Sequence, residues 1–254
     1  MQIKVLGCSG GIGGDKRTTT LLVDDDVLID AGTGVGDLSL AELLKIDHIF
    51  VTHSHLDHIG FIPLLVDTVM GLRTQSVTLH ATAEIIHILK THIFNWLIWP
   101  DFNQIPSAEN PFLVYQQMSV GDSVSVNHKT ITALPANHVV PAVGYQVDSG
   151  KNSLVFTGDT AGCKDFWHVV NKISNLKTLI IETAFSNADA ELARLSKHLC
   201  PNTLADELVQ LNVQVETYIT HIKPGEDATI MQEIAANPKT QHCQMLRQQQ
   251  LFNF

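Results

Sequence analysis

Four side chains able to bind a metal lie within six residues of this 254-residue chain. The segment Thr52–His58 reads His-x-His-x-Asp-His, with candidate ligands at His53, His55, Asp57 and His58. Imidazole nitrogen and carboxylate oxygen together suit zinc, with iron and manganese as alternatives. A chance cluster of surface histidines explains this spacing poorly. The segment therefore predicts a metal site.

Two apolar runs flank this segment. Residues 47–52 are typical of a buried strand, and residues 59–66 indicate the entry of a helix. The candidate ligands then lie on a loop at the carboxyl end of a strand, where α/β proteins place their chemistry.

Three further ligand-type residues each follow a predicted strand, namely His138, Asp159 and His221. Any one of them alone could equally be a buried histidine or a capping aspartate. Together with the motif they make five histidines and two aspartates, enough for two divalent metals that share one carboxylate. The remaining histidines have no such context, and we interpret them as surface or hydrogen-bonded core residues.

Length and composition favour one α/β domain over residues 1–254, with 44% hydrophobic residues to form its core. The chain has no run of 18 uncharged apolar residues and no signal-peptide pattern, so we expect no membrane association. Its four cysteines form no Cys-x-x-Cys pair, which predicts free thiols in a reducing cytoplasm.

The charge balance limits the partners. The chain has 26 acidic and 16 basic residues and a net charge of −10. A protein that grips a polyanion needs a basic surface, so we expect no large nucleic acid as partner. A small anion remains compatible, because bound metal ions invert the local charge.

The predicted elements form two series of strands, each followed by helices, which indicates two packed sheets with helices outside. Strands are predicted near 2–7, 19–24, 27–30, 47–52, 77–80, 112–115, 123–126, 130–135, 143–148, 153–157, 178–181 and 215–220, and helices near 37–44, 82–93, 163–174, 188–197, 201–211 and 226–236. The glycine-rich stretch Gly7–Gly14 is predicted to be a loop whose backbone comes close to the site.

An aromatic segment at residues 92–102 contains two of the three tryptophans. It could stack on a purine base. Aromatic apolar surface more often packs against protein, so we favour a dimer contact, giving a homodimer, or a local core.

The ordered set of ligands resembles the metallo-β-lactamase fold superfamily of hydrolases. Val5–Ser9 and Leu28–Gly32 are similar to that superfamily's first strands. The resemblance implies an α/β fold of αββα type, a four-layer sandwich with the metals at one rim. It implies that one metal is held by His53, His55 and His138 and the other by Asp57, His58 and His221, with Asp159 bridging and Asp30 orienting a ligand histidine.

A second pair of segments, Ile181–Asn187 and Ser196–Leu208, resembles class II cyclic-nucleotide phosphodiesterases and the related tRNA 3′-end endonucleases. The resemblance implies that His198 is catalytic. We further expect Glu182 to position His198 and Asp57 to orient the attacking hydroxide. Cys200 and Phe61 depart from the pattern of this branch, which bears on substrate identity more than on reaction type.

The sequence therefore predicts a dinuclear metal-dependent phosphodiesterase acting on small phosphodiesters, in first place 3′,5′-cyclic nucleotides such as cAMP or cGMP. Three alternatives remain. A ribonuclease-Z-like nuclease is disfavoured by the acidic charge and the lack of a basic arm. A thioesterase or lactonase is disfavoured by the Glu182 and His198 pair. A non-hydrolytic di-iron protein is disfavoured by His55, where such sites tend to have Glu.

Overall fold

Fourteen strands form two mixed seven-stranded sheets in the computed structural model, which describes residues 1–254. The strands are β1 (Gln2–Gly7), β2 (Thr20–Val23), β3 (Val27–Ile29), β4 (His48–Phe50), β5 (Val77–Ala81), β6 (Leu113–Gln117), β7 (Ser123–Val126), β8 (Lys129–Pro135), β9 (Val143–Asp148), β10 (Ser153–Phe156), β11 (Leu176–Glu182), β12 (Glu216–Thr220), β13 (Gln244–Met245) and β14 (Leu251–Asn253). The first sheet has the order β14-β1-β2-β3-β4-β5-β6, and the second β13-β12-β11-β10-β9-β8-β7.

Eight α-helices connect the strands: α1 (Leu40–Leu43), α2 (Leu56–Ile59), α3 (Ile62–Val69), α4 (Ala83–His92), α5 (Lys164–Val170), α6 (Ala190–Ser196), α7 (Pro201–Leu208) and α8 (Asp227–Ala236). The predicted elements are confirmed to within a few residues. The predicted helix entry at 59–66 is two helices, α2 and α3. Four short elements were not predicted from the sequence, namely β13, β14 and the 3₁₀ turns Thr33–Asp37 and Asn187–Asp189.

Apolar residues alternate along the strands and divide the interior into three cores. On β3, Val27 and Ile29 face the second sheet, whereas Leu28 packs with α3 and α4 on the outer face. On β10, Leu154 and Phe156 face the first sheet, whereas Val155 packs with α5, α7 and α8. A strand buried on both faces needs apolar residues at every position. The result is the predicted four-layer sandwich of helix, sheet, sheet and helix.

Tyr145 joins the two sheets directly beneath the candidate ligand segment. Its fully buried ring packs edge-on against Phe50, with ring centroids 5.7 Å apart. Its hydroxyl donates to the carbonyl of Val51 at 2.9 Å. Full burial of a side chain such as Phe50 contributes roughly 1.5–3 kcal/mol. The strand that carries the candidate ligands is thereby held against the second sheet.

The opposite end of the sandwich is closed by a buried ion pair. Lys129, at the start of β8, is 1% exposed, and its ammonium donates to Asp26 at 2.6 Å and to Asp24 at 3.1 Å. The two aspartates belong to the turn between β2 and β3, so the contact links the two sheets. Asp26 also accepts from the Asn127 amide at 2.6 Å. The network satisfies the charges that burial would otherwise penalise.

The aromatic segment at 92–102 is divided between core and surface. Phe94 and Phe102 are buried in the core beneath α4, which confirms a local core. Trp96 and Leu97 are 61% and 88% exposed. No helix of the structure combines the length and apolarity needed to cross a membrane.

We predict that Lys129→Met destabilises the fold by roughly 3 kcal/mol, because removing one partner leaves two carboxylates uncompensated in a mostly buried network. The free energy of unfolding in urea, followed by circular dichroism, measures this effect. Lys45→Met is the matched control, since its pair with Asp25 has both side chains more than half exposed and should contribute less than about 1 kcal/mol. Equal effects of the two substitutions would contradict the role of the buried pair.

Candidate metal centre

The carboxyl ends of several strands bring the candidate ligands to one edge of the sandwich. The loop after β4 contains His53 and His55, and the first turn of α2 contains Asp57 and His58. In the second sheet, β8, β10 and β12 run in the same direction and are followed by the other candidates. These are His138, Asp159 and His221. Residues distant in sequence therefore meet because parallel strands end at a common edge.

All seven candidate side chains fall into two adjacent groups. One group joins His53, His55, His138 and Asp159, and the other joins Asp57, His58 and His221, with ligand atoms within 4.8 Å of one another in each. The first group contains one of the ligand sets that the family resemblance implies, together with Asp159, and the second group has the same members as the other set. A third combination, Asp159 with His198 and His221, meets the same distance. His198 was not among the ligands predicted from the sequence.

Asp159 lies between the two groups. Its carboxylate is 3.5 Å from His53 Nε2, 3.3 Å from His58 Nε2 and 3.2 Å from His221 Nε2. Desolvation opposes its charge, but His221, His58 and His53 hold the pKa of Asp159 well below its usual value. A buried anion that three imidazoles approach is the arrangement expected of a carboxylate shared between two cations.

Several buried nitrogens in the site have no hydrogen-bond partner in the protein. They are Nε2 of His53, Nε2 of His58 and both ring nitrogens of His221. Unpaired polar atoms are costly in a dry interior, and each one calls for an explanation. Burial also lowers the pKa of His221 to about 3 and that of His138 to about 4, so both imidazoles are neutral and have a lone pair to donate. The residues present fit a pair of divalent cations.

Asp30, itself held by Thr52, orients His58. Asp30 Oδ2 accepts the Nδ1 proton of His58 at 2.6 Å, which leaves Nε2 facing Asp159. The backbone N–H and the hydroxyl of Thr52 donate to Asp30 at 2.8 and 2.7 Å. Despite desolvation, Asp159 and Asp30 hold the pKa of His58 well above its usual value. The negative charge that raises this pKa would also attract a cation.

The glycine-rich loop approaches His221, as predicted. A Cβ atom on Gly10 would lie 2.4 Å from the His221 carbonyl oxygen, a distance that only glycine permits. The His221 N–H donates to the Cys8 carbonyl at 2.8 Å. His221 itself has a left-handed backbone with φ of 63°. Such a conformation persists where the surroundings determine it, here the loop on one side and β12 on the other.

Glu182 and His198 form a buried pair beside these groups. Glu182, at the end of β11, accepts the Nδ1 proton of His198 at 2.8 Å and the N–H groups of Thr160 and Leu199 at 3.0 and 3.2 Å. Burial raises the pKa of Glu182. Although desolvation opposes its charge, His198 has its pKa raised by Glu182. The His198 ring stacks on that of His221, with centroids 5.3 Å apart and planes inclined by 17°.

Two residues that support the site, Thr52 and Lys197, were not predicted from the sequence. For Thr52 only a place at the end of a strand was predicted, and no role was predicted for Lys197, which contacts His138. The position of Thr52 immediately before the motif is a signal that could have identified it. Lys197 has no such signal, because its contacts depend on a turn that brings residues about 60 positions apart together. The seven histidines that were interpreted as surface or core residues lie outside the candidate metal-binding groups.

Known proteins resemble this chain over most of its length. Residues 25–238 match the family described as Beta-lactamase superfamily domain. A Yersinia pestis protein named "Probable 3′,5′-cyclic-nucleotide phosphodiesterase" is 24% identical over 278 aligned positions, covering 88% of this chain and 78% of that protein. Unliganded yeast PDE1 has a TM-score of 0.80 at 18% identity, covering 98% of each chain. The short form of human tRNase Z has a TM-score of 0.67 at 18% identity, covering 100% of this chain and 99% of that one.

We predict that protein purified without chelator contains about two equivalents of zinc, iron or manganese per chain, because seven ligand candidates form two adjacent groups. Asp159→Ala should lose both equivalents together, since its carboxylate lies between the groups. Elemental analysis measures the content, with the exposed Asp165→Ala as matched control. A wild-type content near zero would contradict the dinuclear site, and loss of only one equivalent in Asp159→Ala would contradict the bridge.

Proposed function

The chain belongs to the family described as Beta-lactamase superfamily domain, and from that premise we propose that this hydrolase is a dinuclear metal-dependent phosphodiesterase. Its substrates are small phosphodiesters, in first place 3′,5′-cyclic nucleotides, which it converts to 5′-nucleotides. The observation that carries the proposal is the Glu182–His198 hydrogen bond of 2.8 Å beside the candidate ligands. A positioned imidazole of this kind suits the departure of a poor leaving group such as a ribose alkoxide.

The proposed metal ligands are the two groups described above. Two divalent cations, zinc in first place, would supply polarisation of a phosphoryl oxygen and a lowered pKa of bound water. The first cation would be held by His53, His55 and His138, the second by Asp57, His58 and His221, with Asp159 shared between them. Mostly buried imidazoles and one buried carboxylate suit this assignment.

His198 has the central role among the groups that are not proposed ligands. Its Nδ1–H is held by Glu182, so Nε2 is the atom free to serve the substrate. As an imidazolium, His198 would donate a hydrogen bond to a phosphoryl oxygen or a proton to the leaving alkoxide. Glu182 favours the charged imidazolium and fixes the ring plane, and it is the proposed positioning residue. Asp57, half-buried at the site, would orient the attacking water.

The net charge and two exposed apolar side chains beside the candidate ligands support a small substrate over a folded RNA. The net charge of −10 opposes the approach of a polyanion. Leu56 and Val139, each adjacent in sequence to proposed ligands, are 68% and 49% exposed. Apolar side chains at these positions suit contact with a nucleobase more than with a phosphate backbone. The Yersinia relative named as a cyclic-nucleotide phosphodiesterase is consistent with this choice.

We predict that the metal-loaded protein hydrolyses cAMP or cGMP and leaves a pre-tRNA 3′ trailer intact. Turnover of cAMP, cGMP, 2′,3′-cyclic nucleotides, bis(p-nitrophenyl) phosphate, pre-tRNA and a thioester in one panel measures the preference. Protein stripped with chelator is the matched control for each substrate. Efficient cleavage of the trailer would establish the nuclease alternative, and turnover of the thioester alone would establish the thioesterase alternative.

We predict that His198→Ala retains both metals and the fold but loses rate by roughly 10²–10⁴-fold on a cyclic nucleotide, the range for a positioned acid. The loss should be smaller on bis(p-nitrophenyl) phosphate, because p-nitrophenolate departs without a proton. Values of kcat on the two substrates, with metal content measured in parallel, decide the matter. His92→Ala, on the exposed side of α4, is the control. Equal small losses on both substrates would reduce His198 to a structural role.

A further inference from the structure

Lys197 occupies a left-handed turn between α6 and His198. Its backbone has φ of 52° and ψ of 53°, and the turn is closed by the His198 N–H, which donates to the Ala193 carbonyl at 2.8 Å. Glycine is the usual residue at this position after a helix, because a Cβ atom is strained there. Lysine stands here instead, and its side chain makes contacts that glycine could not make.

Three hydrogen bonds connect Lys197 to the loop that contains His138. The Lys197 ammonium donates to Asn137 Oδ1 and to the His138 carbonyl, each at 3.0 Å. In return, His138 Nδ1 lies 3.0 Å from the Lys197 carbonyl. A carbonyl can only accept, so Nδ1 is the protonated nitrogen and Nε2 carries the lone pair. This tautomer is the one that a ligand in the first group requires, since Nε2 faces His55 at 3.3 Å.

We propose that Lys197 is a positioning residue that sets two functional histidines relative to each other. Its carbonyl and ammonium hold the His138 loop, and its left-handed turn directs His198 toward the same site. The ring centroids of His138 and His198 are consequently 5.0 Å apart. The inference rests on the proposed roles of these two histidines. Lys197 would touch neither substrate nor metal, and would act through His138 and His198.

The substitution Lys197→Gly separates this role from folding. Glycine keeps the left-handed turn and the carbonyl but removes the ammonium. Relief of backbone strain offsets the lost hydrogen bonds and the added flexibility of the unfolded chain, so thermal stability should stay close to that of the wild type. One of the two metal equivalents should dissociate into a chelating indicator about 10–100-fold faster, the range for loss of a group that supports a ligand histidine. Lys197→Met should show the same acceleration, and Lys197→Arg should restore slow dissociation. Gln249→Gly, another left-handed position, is the matched control.

A kinetic measurement tests the second half of the proposal. Because the His138 loop loses its ammonium anchor, the ring of His138 is no longer fixed against that of His198. The glycine variant should therefore lose kcat on a cyclic nucleotide about tenfold or more, with KM within about twofold of wild type. The proposal would be overturned if both metal equivalents dissociated from Lys197→Gly and from Lys197→Met at the wild-type rate. A loss confined to KM would also overturn it.

The metal-free protein provides a readout that requires neither a cation nor a substrate. Long-range ¹H–¹⁵N spectra of the imidazoles should show a single Nδ1–H tautomer for His138 in the wild type. The carbonyl that accepts from His138 Nδ1 persists in Lys197→Gly and Lys197→Met. Without the ammonium the His138 loop is no longer anchored to that carbonyl, so we expect a mixture of tautomers in both variants. A chain that binds no metal and hydrolyses no phosphodiester would defeat the proposed function, yet this spectrum would still decide the role of Lys197. An unchanged single tautomer in both variants would overturn it.

Discussion

A buried carboxylate surrounded by imidazoles is the constraint on which this site depends. Asp159 is almost fully buried, and the three histidines nearest to it have nitrogens that no other protein group satisfies. An isolated charge in such a place is prohibitive unless it is paired. Cations held between the two groups of ligands would satisfy the carboxylate and the nitrogens at once. Bound cations would also reverse the negative charge locally, so that a small anion could approach the site.

Backbone strain occurs near this site, whereas a buried ion-pair network closes the opposite end of the sandwich. Near the site the backbone is forced into left-handed conformations at three non-glycine residues, Asp30, Lys197 and His221. Each is held by specific hydrogen bonds, which is the condition under which strain of this kind persists. At the other end of the sandwich, Lys129 and its two aspartates link the sheets with every charge paired. This fully paired end and the three apolar cores stabilise the strands. The other ends of the same strands form the polar edge with its strained residues.

Most of the architecture and the seven candidate ligands could be predicted from the sequence, because they depend on local patterns. Runs of apolar residues mark strands that are buried on both faces, and a ligand-type residue directly after such a run falls at a sheet edge whatever lies elsewhere. The spacing in Thr52–His58 needs only one loop and one helical turn to bring its ligands together. The pairing of Glu182 with His198 could also be predicted, since both residues lie in segments that resemble class II cyclic-nucleotide phosphodiesterases.

Other features were decided only by the tertiary structure. β14 pairs with β1 across almost the whole chain length, and its three residues have no pattern that distinguishes them from a loop. The segment at 92–102 looks uniformly apolar, yet Phe94 is buried and Leu97 is exposed, because only the packing of α4 determines which residues face the core. Lys197 is an ordinary lysine in the sequence. Its conformation and its contacts with His138 arise from a turn between distant elements, and hydrogen bonds of this kind have no signature in residue type or spacing.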